Sequence, residues 1–129
     1  MNIDNTIRVF VYGTLKREGS LHVALDGCEF VEDATLEGAR MYNLGFCPAI
    51  VPSAYVKTDT VEGEVWLIDG ATLQKLDRIE GHPTLYQRRR EIIGGEPTWV
   101  YFLNSPLTGE ELERRRITSG RWPVGGGSI

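Results

Sequence analysis

Apolar and polar positions alternate in short blocks along the chain, and each block predicts an element. Residues 7–12, Ile7-Arg8-Val9-Phe10-Val11-Tyr12, are β-branched and aromatic and stop at Gly13. They predict a buried strand delivering its carboxyl end to a turn-rich loop over residues 13–19, followed by a short helix over 20–25. Residues 30–42 interleave polar and apolar side chains, which fits one or two exposed strands with Glu29, Glu32, Asp33 and Glu37 on a solvated face. Residues 61–68 begin as an alternation and become fully apolar, so that strand enters the core. Asp69 is placed to cap a helix over 71–79, where Leu73, Leu76 and Ile79 recur at helical spacing and Gly81 supplies the stop. Residues 86–93 and 98–103 read as a strand pair joined through Gly94-Gly95-Glu96-Pro97, and residues 110–116 as a short charged helix. Strands with isolated short helices, and no regular βαβ alternation, predict an α+β fold around a sheet or a small barrel.

Length adds that this is one domain. The 129 residues, 41% hydrophobic and 25% charged, suffice for a core without disulfide or metal staples. The single domain is expected to span residues 1–129, with a flexible tail over about 124–129 where Gly125-Gly126-Gly127-Ser128 is the one low-complexity stretch. No apolar run approaches the ~20 residues of a membrane span. The net charge of −4 carries no basic footprint for nucleic acid. Met1-Asn2-Ile3-Asp4 lacks the basic start and apolar core of an export signal, so a cytoplasmic protein with Cys28 and Cys47 as buried thiols is expected.

Candidate chemistry narrows by elimination. Phosphate-loop, dinucleotide, H-E-x-x-H and G-x-S-x-G motifs are all missing, and the only histidines are His22 and His82. Catalysis would therefore rest on a carboxylate. Two places stand out. At Tyr12-Gly13-Thr14-Leu15 a strand meets a turn whose successive N–H groups can converge on an anion, although a plain turn reads the same way. Glu80 falls in the last helical turn, where the dipole disfavours a negative charge. Beside Ile79, Leu85 and Tyr86 its carboxyl would be desolvated toward the general acid–base range; by chemistry alone a frayed, solvated glutamate fits as well. Asp77 and Arg78 read as the solvated helix face. Arg88 and Arg90 share a strand face with Tyr86 and read as a solvated row, and Tyr101 and Trp122 as core or pocket wall.

Five segments in order resemble one known family, the gamma-glutamylcyclotransferase-like proteins. Val9-Phe10-Val11-Tyr12-Gly13-Thr14-Leu15-Lys16 resembles the family's opening strand and loop. Asn43-Leu44-Gly45-Phe46-Cys47-Pro48-Ala49-Ile50 resembles its proline turn, with Cys47 where an aromatic is common. Glu62-Gly63-Glu64-Val65-Trp66 is similar to its recurring strand, and Ile117-Thr118-Ser119-Gly120-Arg121-Trp122 to its carboxyl-terminal motif. The segment from Glu80-Gly81-His82-Pro83 through Tyr86 resembles its glutamate segment, nearest to the gamma-glutamylamine cyclotransferase branch.

The resemblance implies a small mixed β-barrel flanked by short helices. It implies cleavage of a gamma-glutamyl amide by intramolecular cyclisation, releasing 5-oxoproline and an amine or amino acid. Glu80 would be the general acid/base, and Tyr12, Gly13, Thr14 and Leu15, with Tyr86, would hold the small-molecule gamma-glutamyl substrate. No metal or cofactor is implied, and no nucleic acid or membrane partner; the oligomeric state is left open. The alternative reading is a non-catalytic module that binds a carboxylated or gamma-glutamyl metabolite in the same pocket.

Overall fold

The strand expected over residues 7–12 becomes β1 (Ile7–Val11), the centre of a five-stranded sheet in a computed structural model that describes residues 5–104 and 109–123. The expected tail over 124–129 lies outside the described residues. The remaining elements are β2 (Glu29–Glu37), β3 (Ala39–Asn43), β4 (Pro48–Pro52), β5 (Thr60–Ile68), α1 (Gly70–Glu80), β6 (Tyr86–Ile93), β7 (Glu96–Leu103), α2 (Gly109–Glu113) and β8 (Arg116–Ile117), with a 3-10 turn at His22–Leu25. The large sheet runs β2-β5-β1-β7-β6, parallel only between β1 and β7. A second, antiparallel sheet runs β4-β3-β8.

The α+β class with short helices is what forms. The ladders end at β2 and β6 and at β4 and β8, so the strands make two sheets and not the closed barrel expected from the family resemblance. Two short strands, β4 and β8, were not legible as strands. Residues 30–42 do split into two strands, but β3 is largely buried, because it lies between β4 and β8 and faces the core. Among the described residues no helix is long and apolar enough to cross a membrane. Cys28 and Cys47 are free and half-buried.

β1 is buried on both faces, which is why its sequence is a continuous apolar run and not an alternation. Phe10 and Tyr12 face one core with Met41, Ile50 and Trp122; Val9 and Val11 face the other with Leu76, Tyr86 and Tyr101. Its carboxyl end therefore emerges where the two cores meet.

The helix begins as expected, with the Asp69 carboxylate accepting from the Thr72 N–H at 2.8 Å. It stops at Gly81, whose φ of 65° is left-handed; the Gly81 N–H reaches the Arg78 carbonyl and the His82 N–H the Asp77 carbonyl. The inward stripe differs from the expected one. Leu76 is fully buried, but Ile79 is 40% exposed. At 3.6 residues per turn the stripe through Leu73 and Leu76 returns at position 80 and not at 79. The helix thus turns Glu80 toward the core.

Candidate functional site

A small cleft opens at the carboxyl end of β1. Tyr12, Gly13, Thr14, Leu15, Glu80 and Tyr86, the six residues singled out from the sequence, all line it. β1 and its loop supply the first four, the last residue of α1 the fifth and the start of β6 the sixth. Cys47 and Pro48 from the β3–β4 turn, and Tyr101 from β7, complete the polar and aromatic walls.

Gly13 is needed for close packing against the proline turn. A Cβ at Gly13 would come within 2.6 Å of Pro48 Cγ, so the glycine lets the proline turn close against the loop. The loop is then tied down on its far side. Lys16 donates its N–H to the Gly13 carbonyl at 3.0 Å and its buried ammonium to the Trp122 carbonyl at 2.9 Å. Arg17 donates its N–H and its guanidinium Nε to the buried Glu64 carboxylate, both at 3.0 Å, and Glu64 also accepts from the Trp66 indole at 3.1 Å. Glu64 and Trp66 of the G-E-V-W strand and Trp122 of the carboxyl-terminal motif thus serve one end, holding the loop. Between these anchors, the N–H groups of Thr14 and Leu15 have no acceptor among the described residues.

Glu80 is half-buried and its carboxyl enters the cleft. No hydrogen bond or ion pair joins it to another described residue, and burial pushes the carboxyl up to about 7. The opposite holds one helical turn back. Asp77 is not the solvated residue expected from its position. Arg88 grips it in a fork, Nε to Oδ1 at 2.9 Å and Nη2 to Oδ2 at 3.2 Å, and the Tyr101 hydroxyl donates to Oδ1 at 2.6 Å. Burial acts to raise the Asp77 carboxyl, but these bonds overcome it and hold it below the usual range.

Arg88 is correspondingly not part of a solvated row: it lies half-buried, stacked over Trp99 at 4.3 Å. Arg90 is exposed, as expected, and covers the same indole at 4.6 Å. His82 points away as a base, its Nδ1 accepting the Arg88 N–H at 3.2 Å, and it does not line the cleft.

The three tyrosines have their protons assigned. Tyr12 donates to the Tyr101 carbonyl at 2.7 Å and Tyr86 to the Pro48 carbonyl at 2.9 Å, because a carbonyl only accepts. Burial, with the Glu80 carboxylate adding to it, raises all three phenols, which therefore stay protonated. Tyr101 was legible as a wall residue, but its link to Asp77 was not. A signal existed in the strand pairing, which sets Tyr101 beside Arg88. Among the described residues no group of three or more His, Cys, Asp or Glu side chains is gathered to hold a metal ion.

Comparison with known proteins gives consistent matches over nearly the whole chain. A family model described as gamma-glutamyl cyclotransferase, AIG2-like, matches residues 9–124. The gamma-glutamylcyclotransferase family protein YtfP of Escherichia coli (strain K12) is 32% identical over 117 residues, covering 90% of this chain and 96% of that protein. Among solved structures, an uncharacterised protein from Pyrococcus horikoshii superposes with a TM-score of 0.74 at 25% identity, covering 90% of this chain and 89% of that one. A mouse AIG2-like protein superposes with a TM-score of 0.70 at 26% identity, covering 84% and 83%.

Proposed function

The chain belongs to the gamma-glutamyl cyclotransferase, AIG2-like family, and we propose that it cleaves a gamma-glutamyl amide by intramolecular cyclisation, with Glu80 as the proton shuttle. The observation that carries this reading is a partnerless carboxyl, raised to about 7, in the same cleft as the loop that follows β1. A group with that value takes and returns protons at neutral pH with little bias.

The substrate carries both reacting groups, so the protein's task is to fold it. The free N–H groups of Thr14 and Leu15 receive the glutamyl α-carboxylate, and the aromatic walls turn the chain back on itself. Such a near-attack arrangement can supply about 7–11 kcal/mol of the barrier. The Glu80 carboxylate removes a proton from the α-ammonium, and the freed amine attacks the γ-carbonyl carbon to form the ring C–N bond. Protonated Glu80 then delivers that proton to the amide nitrogen. The old C–N bond breaks with its electron pair on the leaving amine. The ring nitrogen gives its second proton to the regenerated Glu80 carboxylate, which passes it to the departing amine as an ammonium, and 5-oxoproline remains.

The cleft also bears on the leaving group. Among the described residues its lining holds no lysine or arginine. A leaving amino acid would bring a carboxylate with no cation to meet it beside Glu80, so an amine is the better-matched leaving group.

The test is to incubate the protein with a panel of gamma-glutamyl amines and gamma-glutamyl amino acids and to follow 5-oxoproline. Product from at least one amide, lost in Glu80→Gln, is expected. Ligand bound but recovered unchanged across the panel would replace the enzyme reading with a binding module. Product that persists in Glu80→Gln would remove the role given to Glu80.

A further inference from the structure

Glu80 has no hydrogen bond or ion pair with another described residue, so its neighbours in the chain decide where its carboxyl lies. Those neighbours are tied on both sides, and both ties end on one residue. Three positions before Glu80, the Asp77 carboxylate takes the Arg88 fork, Nε to Oδ1 at 2.9 Å and Nη2 to Oδ2 at 3.2 Å. Two positions after it, His82 Nδ1 accepts the Arg88 main-chain N–H at 3.2 Å. The His82 N–H in turn reaches the Asp77 carbonyl at 2.9 Å and closes the turn that carries Glu80. Residues three apart on a helix share a face, so the fork holds the side of α1 to which Glu80 belongs.

Arg88 is itself held. Its guanidinium stacks over Trp99 at 4.3 Å and gives a bond to the Tyr101 hydroxyl, which donates to Asp77 Oδ1 at 2.6 Å. Tyr101 lines the cleft and Arg88 does not. Arg88 thus reaches Glu80 through other residues, and not as an anion receptor in the cleft. The groups that share the cleft with Glu80 are Tyr12 from β1, Cys47 from the β3–β4 turn, Tyr86 from β6 and Tyr101 from β7, with no lysine or arginine among the described lining residues. Burial therefore governs the Glu80 carboxyl, and burial lasts only while its turn keeps its place.

We infer that Arg88 is a positioning residue for Glu80: its fork on Asp77 and its main-chain bond to His82 fasten both flanks of Glu80 to β6 and hold the carboxyl in the cleft. This rests on the cyclisation reading for the use made of Glu80 but not for its placement. A carboxyl that needs no partner for its proton chemistry cannot be anchored by one, so the anchoring falls to the residues on either side. Once the fork is lost, the last turn of α1 is free to admit water to the carboxyl, which then releases its proton at a lower pH.

The experiment follows the Glu80 side-chain carboxyl by NMR titration of protein labelled with carbon-13 glutamate, the signal being assigned by its loss in Glu80→Gln. No substrate is present, so failure of the cyclisation reading leaves this test intact. Wild type should titrate at about 7. Arg88→Met leaves an unbranched apolar side chain beside Trp99 and keeps the main-chain bond to His82, but removes the fork. Its midpoint should fall from about 7 toward the ordinary 4.5. A purely electrostatic link would overturn the proposal by giving the opposite sign, because Asp77 left unpaired on the same helix face would raise the midpoint. Arg88→Met combined with Asp77→Asn removes both charges and should show the same fall. Arg88→Lys, which keeps a cation but not the fork, should fall less. Amide dispersion in the same samples shows that each variant is folded. A wild-type midpoint near 4.5 would overturn the positioning role. So would a midpoint unchanged in the double variant, or unchanged in Arg88→Lys should the double variant lose its fold.

Discussion

Around Asp59 three segments converge to satisfy one carboxylate; around Glu80 the β1 loop, the β3–β4 turn, β6 and β7 converge, and none of them pairs with it. Asp59 is buried and accepts from Arg40 Nε at 2.5 Å on β3, from the Ser53 hydroxyl after β4, and from Arg116 Nη2 at 2.9 Å on β8. The Ser53 hydroxyl first, and then Arg40, hold its carboxyl below the usual range. Glu80 has the aromatic walls and no donor, and its carboxyl rises to about 7. The same side-chain chemistry is thus used as a structural tie in one place and left reactive in the other. The difference teaches that a withdrawn carboxylate is read by its partners and not by its burial: satisfied ones join elements, and unsatisfied ones are available for chemistry.

The comparison breaks most sharply at Glu80. Glu80→Gln should lower the rate of 5-oxoproline formation by about 10²–10⁴-fold, the range of lost general acid–base catalysis, with a melting temperature at pH 8 equal to or above wild type. A simultaneous loss of melting temperature would make Glu80 a structural tie like Asp59.

The pH dependence of stability should separate the two carboxylates next. Glu80 holds a proton in the folded state between its ordinary value of 4.5 and about 7, where the unfolded chain has released it. Its contribution therefore becomes less favourable as pH rises through that window, reaching no more than about 3 kcal/mol above it. Denaturation of wild type and Glu80→Gln across pH 4–8 should show the variant's advantage growing with pH and vanishing near pH 4. For Asp59 the sign is reversed. Its lowered value means that its stabilisation is present above the unfolded value of roughly 4 and is lost as pH falls through the folded one.

Asp59→Asn should accordingly lower the melting temperature at neutral pH while leaving the pH–rate profile of 5-oxoproline formation where it was, because the tie lies outside the cleft. A moved profile would couple the two regions. The smallest effect is expected at the exposed Arg121–Glu62 pair, 2.9 Å apart. Arg121→Ala should change stability by less than about 1 kcal/mol in chemical denaturation. A loss as large as that of Asp59→Asn would show that one exposed pair ties elements as firmly as the three partners of a buried carboxylate, and would break the comparison.

Much of the site was legible one segment at a time. The apolar run of β1, the glycine that ends it, and the caps of α1 are local signals, each written within a few residues. Glu80 is marked by its place beside Gly81 and Tyr86, and the helical stripe through Leu73 and Leu76 points it inward, because at 3.6 residues per turn that stripe returns at position 80 and not at Ile79. Asp77 was misread because its solvation depends on Arg88, which only the return of β6 along α1 brings to it.

By itself, then, the sequence determined the order of the long strands and α1, the α+β class, the two ends of α1 and the loop after β1, since each follows from backbone propensity and periodicity over short windows, whereas Glu80 as the candidate acid/base rested on the family resemblance. Only the tertiary structure decided that the strands form two sheets, that Gly13 yields its space to Pro48, that Asp77 is paired while Glu80 is not, and that the Tyr86 and Tyr101 hydroxyls donate to the Pro48 carbonyl and to Asp77. Those outcomes depend on partners 24 residues apart for Tyr101 and Asp77, 38 for Tyr86 and Pro48, and 57 for Arg116 and Asp59. Hydrogen-bond direction and desolvation are properties of a packed neighbourhood, and no spacing along the chain encodes which distant group arrives to complete it.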